Sequence, residues 1–198
     1  MGQTLRRSKP LGPFILSIDY QFLFFVNQRL VSEWADYFMI FLSSSTLWIT
    51  VLIFLFYYSW RLRKANILAF CFLVVLGVAL ADSLSSFFLK PYFARLRPCK
   101  EFSDTIRAIA GCASFFGFPS NHASNAGIVA ALGHMKFGRR IGMVFYTLAF
   151  LVCLSRIYLG VHYPSDVLAG LAVGSFLGFI VFFSSEKIRK KFSSSTQA

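Results

Sequence analysis

The chain has 198 residues, enough for one domain, of which 57% are apolar and only 14% charged. With a mean hydropathy of +0.64, this composition excludes an ordinary soluble protein and marks an integral membrane protein whose surroundings are the bilayer. The formal charge of +12 raises nucleic acid as a partner, but the basic residues cluster between apolar runs, where topology signals belong. No motif of a nucleic-acid reader is present, so no nucleic-acid partner is expected.

Residues 1–13 form a basic leader carrying Arg6, Arg7 and Lys9. The apolar run behind it, residues 14–26, is broken by Asp19 and Gln21 and lacks a small-residue cleavage site, so it is not read as a cleaved signal peptide. It is short against the ~20 residues of a spanning helix. It reads as a helix lying at the interface, with a poor first span within residues 14–31 as the alternative.

Residues 37–60 are long enough to cross, with Ser43-Ser44-Ser45-Thr46 as a place for a bend, and Arg61, Arg63 and Lys64 close the run. Residues 66–89 cross back and carry Asp82, an intramembrane carboxylate that either serves function or hydrogen-bonds within the bundle. A polar loop over 90–119 leads to a helix from about Ser120 to Lys136, followed by Arg139 and Arg140. Residues 141–159 cross again, and 167–183 form the last span before Lys187, Arg189, Lys190 and Lys191. The expected fold class is an all-α polytopic transmembrane helix bundle of five spans, six if the first run crosses. Residues 14–188 form its one domain, and 189–198 a polar tail expected to be disordered from Ser193 onward.

Alternation of the spans puts the basic clusters at Arg61, Lys136 and Lys187 on one side of the membrane, which should be the cytoplasm. The opposite side collects Lys90, Arg95, Arg97, the Ser120–His122 helix start, Arg156, His162 and Asp166. Gly170, Gly174 and Gly178 recur at four-residue spacing and allow close helix approach, with Ala123, Gly127 and Ala130 as a facing surface. Such a ridge serves equally within one bundle or between two, which leaves oligomeric state open. The four cysteines show no metal-ligand spacing, so neither a metal nor another cofactor is expected. Cys99 and Cys112 share the outer loop, where an oxidising compartment permits a disulfide.

Three stretches on the outer side carry chemistry. Ser155 to Asp166 combines Arg156, an anion binder, His162, which can attack or shuttle protons near neutral pH, and Asp166, a carboxylate able to fix the imidazole tautomer. Pro119-Ser120-Asn121-His122 opens a helix with Ser120 as N-cap, and free backbone N–H groups there favour an anion. Lys90 and Arg97, separated by six residues just beyond a span, read by themselves as snorkelling charges. Arg95 and Arg107 read equally as head-group contacts or as solvated loop residues, and His134 as a surface or interface histidine.

In order and spacing these stretches, Lys-x6-Arg-Pro from Lys90 to Pro98, Pro-Ser-x-His from Pro119 to His122, and Ser-Arg-x5-His-x3-Asp from Ser155 to Asp166, resemble the type 2 phosphatidic acid phosphatase family. That family shares its core with vanadium haloperoxidases and bacterial acid phosphatases. The resemblance covers about residues 37–183. It departs at Asn121, where the family most often has glycine, which bears on pocket shape. The resemblance implies that His162 attacks phosphorus to form a phosphohistidine while Asp166 orients and supports the imidazole. His122 would protonate the leaving oxygen and then activate water. Lys90, Arg97, Ser120, Asn121 and Arg156 would hold the phosphoryl oxygens without a metal.

The expectation is therefore a metal-independent membrane lipid phosphatase acting on a lipid phosphomonoester or pyrophosphate, sited in a bacterial inner membrane with its active site on the periplasmic face. Undecaprenyl pyrophosphate stands first among substrates, beside phosphatidylglycerophosphate, phosphatidate and lipid A. A lipid-to-lipid phosphotransferase and a non-catalytic phospholipid-binding or transport protein are the alternatives. Haloperoxidase chemistry gives no reason for the membrane spans.

Overall fold

A chain this apolar must satisfy its backbone internally, and helices do so in almost every element of the computed structural model. The structure describes residues 13–195 apart from residue 113. The basic leader, save Pro13, and the last three residues of the tail lie outside the described residues. In order the helices are α1 (Pro13–Phe24), continued by a π-helical turn Phe25–Arg29, then α2 (Glu33–Ser43), α3 (Ser45–Arg61) and α4 (Ala65–Ser83). A second π-helical segment, Leu84–Leu89, joins α4 to the short α5 (Lys90–Phe93), and α6 (Pro98–Glu101) follows in the outer loop. The bundle closes with α7 (Asn121–Phe137), α8 (Arg139–Tyr158) and α9 (Pro164–Ser195). The helix thus runs three residues into the stretch expected to be disordered.

The serine cluster bends its span as expected. Ser44 donates its backbone N–H to Phe41 O, ending α2, and its hydroxyl accepts from the Leu47 N–H, capping α3. The two helices meet at 52°. Trp48 Nε1 donates to Leu42 O at 2.8 Å, using a carbonyl at the end of α2.

The number of spans is smaller than expected. Three helices among the described residues are long and apolar enough to cross, Ala65–Phe93, Arg139–Tyr158 and Pro164–Phe192, or four if the bent α2–α3 pair is one span. Five or six are not found, and two segments account for the difference. The α1 helix has only 12 residues, and Asp19 on it and Asn27 just beyond it are buried against protein. The α7 helix has 17 residues, rich in Ser, Asn, Gly and Ala, and its buried side packs against α4, α8 and α9. A helix walled by protein needs small side chains for close approach more than it needs hydrophobic bulk toward lipid. The large side chains left exposed, such as Phe72 on α4, Phe150 on α8 and Phe176 on α9, clothe the outside of the bundle.

The glycine ridge faces inward. A Cβ at Gly170 would lie 2.5 Å from the Ser120 carbonyl oxygen, one at Gly174 would overlap the Ser124 backbone, and one at Gly178 would press on Ala131. From the other side, a Cβ at Gly127 would lie 2.6 Å from Leu171 O. The α7 and α9 backbones therefore nearly touch, and the ridge is used within the bundle. His134, near the end of α7, packs on Gly142 and Tyr146 of α8, as an interface histidine.

Candidate active site

The motif residues gather at one end of the bundle. The opposite end carries Lys136 and Arg189, which line a common cavity with Ala65 at the start of α4. His162 lies in the turn between α8 and α9, with only 1% of its surface exposed, and Asp166 sits in the first turn of α9, fully buried. Pro164 starts that helix, so the i, i+4 spacing from the turn brings imidazole and carboxylate together. His162 Nδ1 stands 3.4 Å from Asp166 Oδ2. Nδ1 makes no hydrogen bond among the described residues. The contact is of the kind that tightens when substrate binds, and Nδ1 is the ring nitrogen facing the carboxylate, which leaves Nε2 as the candidate nucleophile.

Asp166 is fixed from several directions. Its Oδ2 accepts from the Tyr163 backbone N–H at 3.0 Å, and its Oδ1 from Arg95 Nη1 at 2.7 Å. Its backbone carbonyl accepts from the Ser120 N–H at 3.0 Å, tying the start of α7 to the start of α9. The backbone of Gly117 packs into the same corner. A Cβ there would lie 3.0 Å from Asp166 Oδ2 and 3.5 Å from His162 Nδ1.

Around the histidine stand cations without carboxylate partners. Among the described residues Lys90, Arg97 and Arg156 make no ion pair. Arg97 Nε donates to the Phe116 carbonyl at 3.3 Å, and its backbone N–H donates to Phe115 O, beside the isolated bridge between Leu96 and Phe116. Arg156 bonds the Ser43 hydroxyl at the α2–α3 bend. Its buried Nε, like the buried Ser120 hydroxyl, has no hydrogen-bond partner among the described residues. Ser120 takes the N-cap position of α7, but its side chain makes no capping bond. Burial first, then the charges of Arg97, Arg156 and Lys90, hold the His162 imidazole well below its ordinary pKa, so it is neutral and its ring nitrogen free to attack. Clustered, desolvated, unpaired cations are costly unless an anion joins them, so the arrangement is one that a bound anion would stabilise.

His122 enters from the first turn of α7. Its Nε2 lies 3.3 Å from the Ser45 hydroxyl, and it lines a cavity of about 550 Å³ that runs between α3, α4, α7 and α8. Asn121, beside it, turns its side chain away to donate to Asp82 Oδ1 at 2.8 Å, so Asp82 hydrogen-bonds within the bundle. Among the described residues no group of three or more His, Cys, Asp or Glu side chains is placed to hold a metal.

Two residues central to this geometry carry no role in the motifs. Arg95 is neither solvated nor a free head-group contact. It is buried, bridges Asp166 and Asp19 at 2.7 Å each, and stacks 4.0 Å from the Tyr163 ring centre. Asp19, an interruption in the first apolar run, accepts from Arg95 and from both the backbone N–H and hydroxyl of Ser165. The available signal was chemical: a carboxylate inside an apolar run needs a buried cation, and the loop offered few. Arg107 is likewise claimed within the protein, donating to Asp36 at 2.7 Å. Cys99 and Cys112 are joined as a disulfide beside Arg97-Pro98.

The model of the PAP2 superfamily matches residues 68–190. A lipid A 4'-phosphatase of Bacteroides thetaiotaomicron is 31% identical over 92% of this chain and 84% of its own length. One of Porphyromonas gingivalis is 31% identical over 85% of this chain and 73% of its own. The crystal structure of a transmembrane PAP2-type phosphatidylglycerolphosphate phosphatase from Bacillus subtilis superposes with a TM-score of 0.72 at 25% identity, covering 89% of each chain. The chain is thus an integral membrane, metal-independent hydrolase of a membrane lipid phosphate or pyrophosphate, and it belongs to the PAP2 superfamily.

Proposed function

We propose that the protein hydrolyses a phosphomonoester of a lipid A-type saccharolipid through a phosphohistidine on His162. The observation that carries the chemistry is the set of unpaired cations, Lys90, Arg97 and Arg156, around a buried neutral histidine backed by Asp166. The substrate class rests on two relatives matched over 84% and 73% of their own length, both lipid A 4'-phosphatases. This moves the leading substrate away from undecaprenyl pyrophosphate.

In the first step the Nε2 lone pair of His162 attacks phosphorus and the bond from phosphorus to the lipid oxygen breaks. His122 supplies the proton to that oxygen. In the second step water attacks the phosphohistidine and gives its proton to His122, which restores both histidines and releases inorganic phosphate. Lys90, Arg97, Arg156, the Ser120 hydroxyl and the Asn121 backbone hold the phosphoryl oxygens as charge redistributes. Removing one such donor costs about 3–4 kcal/mol in comparable sites. The site end faces the outside of a bacterial inner membrane, a reading supported by the basic residues at the other end and by a disulfide on this one.

The test is phosphate release by purified protein in detergent with EDTA present, from lipid A, phosphatidylglycerophosphate, phosphatidate and undecaprenyl pyrophosphate, beside His162→Ala. Release from lipid A that the variant abolishes supports the proposal. Release from a different lipid alone moves the substrate, and full activity in His162→Ala removes the mechanism.

A further inference from the structure

The cavity that His122 lines is apolar over most of its wall, with side chains such as Leu52, Val74 and Phe145, but not beside the histidine. Asp82, Asn125 and Ser45 line it there. Asn125 lies three residues after His122 on α7 and so shares its face of the helix. Asp82 accepts from the side chain of Asn121, the neighbour of His122, and makes no ion pair among the described residues. The buried side-chain oxygens of Asn121 and Asn125 have no hydrogen-bond partner among the described residues. The polar part of this wall therefore presents the Asp82 carboxylate and the Asn125 amide, whose oxygen is unpartnered, to whatever leaves from phosphorus.

Leaving groups differ in how they meet such a wall. A phosphomonoester on a sugar releases an alcohol whose ring bears hydroxyl and amide N–H donors, and these satisfy buried acceptors. A lipid pyrophosphate releases a lipid monophosphate, an anion that would lie near the Asp82 carboxylate, which makes no ion pair among the described residues. A diacylglycerol leaving group brings no donor at all.

We propose that Asp82, held by Asn121, and Asn125 form a leaving-group subsite that selects phosphomonoesters on donor-bearing saccharolipids and disfavours lipid pyrophosphates. This rests on His122 acting at the leaving oxygen. The experiment compares kcat/KM of the full chain in detergent for lipid A, phosphatidate and undecaprenyl pyrophosphate, in the wild type, Asp82→Asn, Asn125→Ala and His122→Ala. The wild type should favour lipid A over the pyrophosphate. Asp82→Asn, which keeps shape and an acceptor but removes the charge, should shift that ratio toward the pyrophosphate by at least about tenfold. Asn125→Ala should lower the rate on lipid A relative to phosphatidate by about tenfold. A wild type that favours the pyrophosphate, or ratios unchanged in both variants, overturns the subsite. If Asp82→Asn does not fold, Asn125→Ala and the wild-type preference decide. Retained activity in His122→Ala instead strikes the proposed mechanism, so the two failures are separable.

Discussion

Arg95 donates from Nη1 to Asp166 Oδ1 at 2.7 Å while its Nη2 donates to Asp19 Oδ2 at the same distance. One buried cation thus joins the carboxylate behind His162 to a helix that ends at Phe24, well before the matched family region begins at residue 68. The α1 helix is in this way part of the active site's support. Arg95→Ala leaves two buried carboxylates without their partner and should cost about 3–5 kcal/mol of stability, read as a lower thermal midpoint. In the protein that still folds, misplacement of Asp166 should lower kcat by about a hundredfold with a smaller change in KM. Added guanidinium ion should restore part of that rate, which a general packing defect would not allow. Asp19→Asn, which keeps the shape but removes one charge, should act in the same direction more weakly.

The basicity of His162 is open to a pH test. Burial and the cations Arg97, Arg156 and Lys90 lower its pKa, Asp166 being the carboxylate that faces it. A base with a lowered pKa stays unprotonated to lower pH. The acid limb of kcat/KM that belongs to this group should therefore fall well below about 6.5, the ordinary histidine value. Arg97→Gln removes one of the lowering charges and should move that limb up, alongside its loss of rate. A wild-type limb at the ordinary value, unmoved in the variant, would contradict the assignment.

Close approach of α7 and α9 positions Ser120 against Asp166, and Gly174 sits in the middle of that contact. Gly174→Val should force the helices apart at the Ser124 backbone. A destabilisation of about 1–3 kcal/mol or more is expected for such overpacking, together with loss of activity. Thermal unfolding in detergent measures the first and phosphate release the second.

Reduction of the Cys99–Cys112 bond releases a loop that leads directly from Arg97 toward Gly117. Cys99→Ser should lower stability by about 2–4 kcal/mol and weaken substrate binding, seen as a raised KM. Alkylation of the native protein should label neither cysteine until a reductant is added.

The catalytic candidates were legible in the sequence because their chemistry is local. His162 and Asp166 are four residues apart, and Ser120 and His122 share one helix start. Alternating apolar runs and basic clusters then placed them at one end of the bundle. The Asp19–Arg95 bridge was not legible in that way, since its partners are 76 residues apart and each alone resembles an interruption or a loop charge. The span count failed at α7 for a related reason. Counting apolar runs assumes each helix meets lipid, whereas α7 packs its small residues against protein. The use of Asn121 to hold Asp82 also depends on a contact between separate helices that spacing does not reveal.

The central claim is a covalent intermediate on His162. Rapid acid-free quench of the purified protein mixed with phosphate-labelled lipid A in EDTA, followed by digestion and mass spectrometry, reads it directly. A base-stable, acid-labile phosphoryl group is expected on His162, and His162→Ala cannot form it. Turnover with no phosphoenzyme at any time point, or a phosphoryl group on another residue, would contradict it.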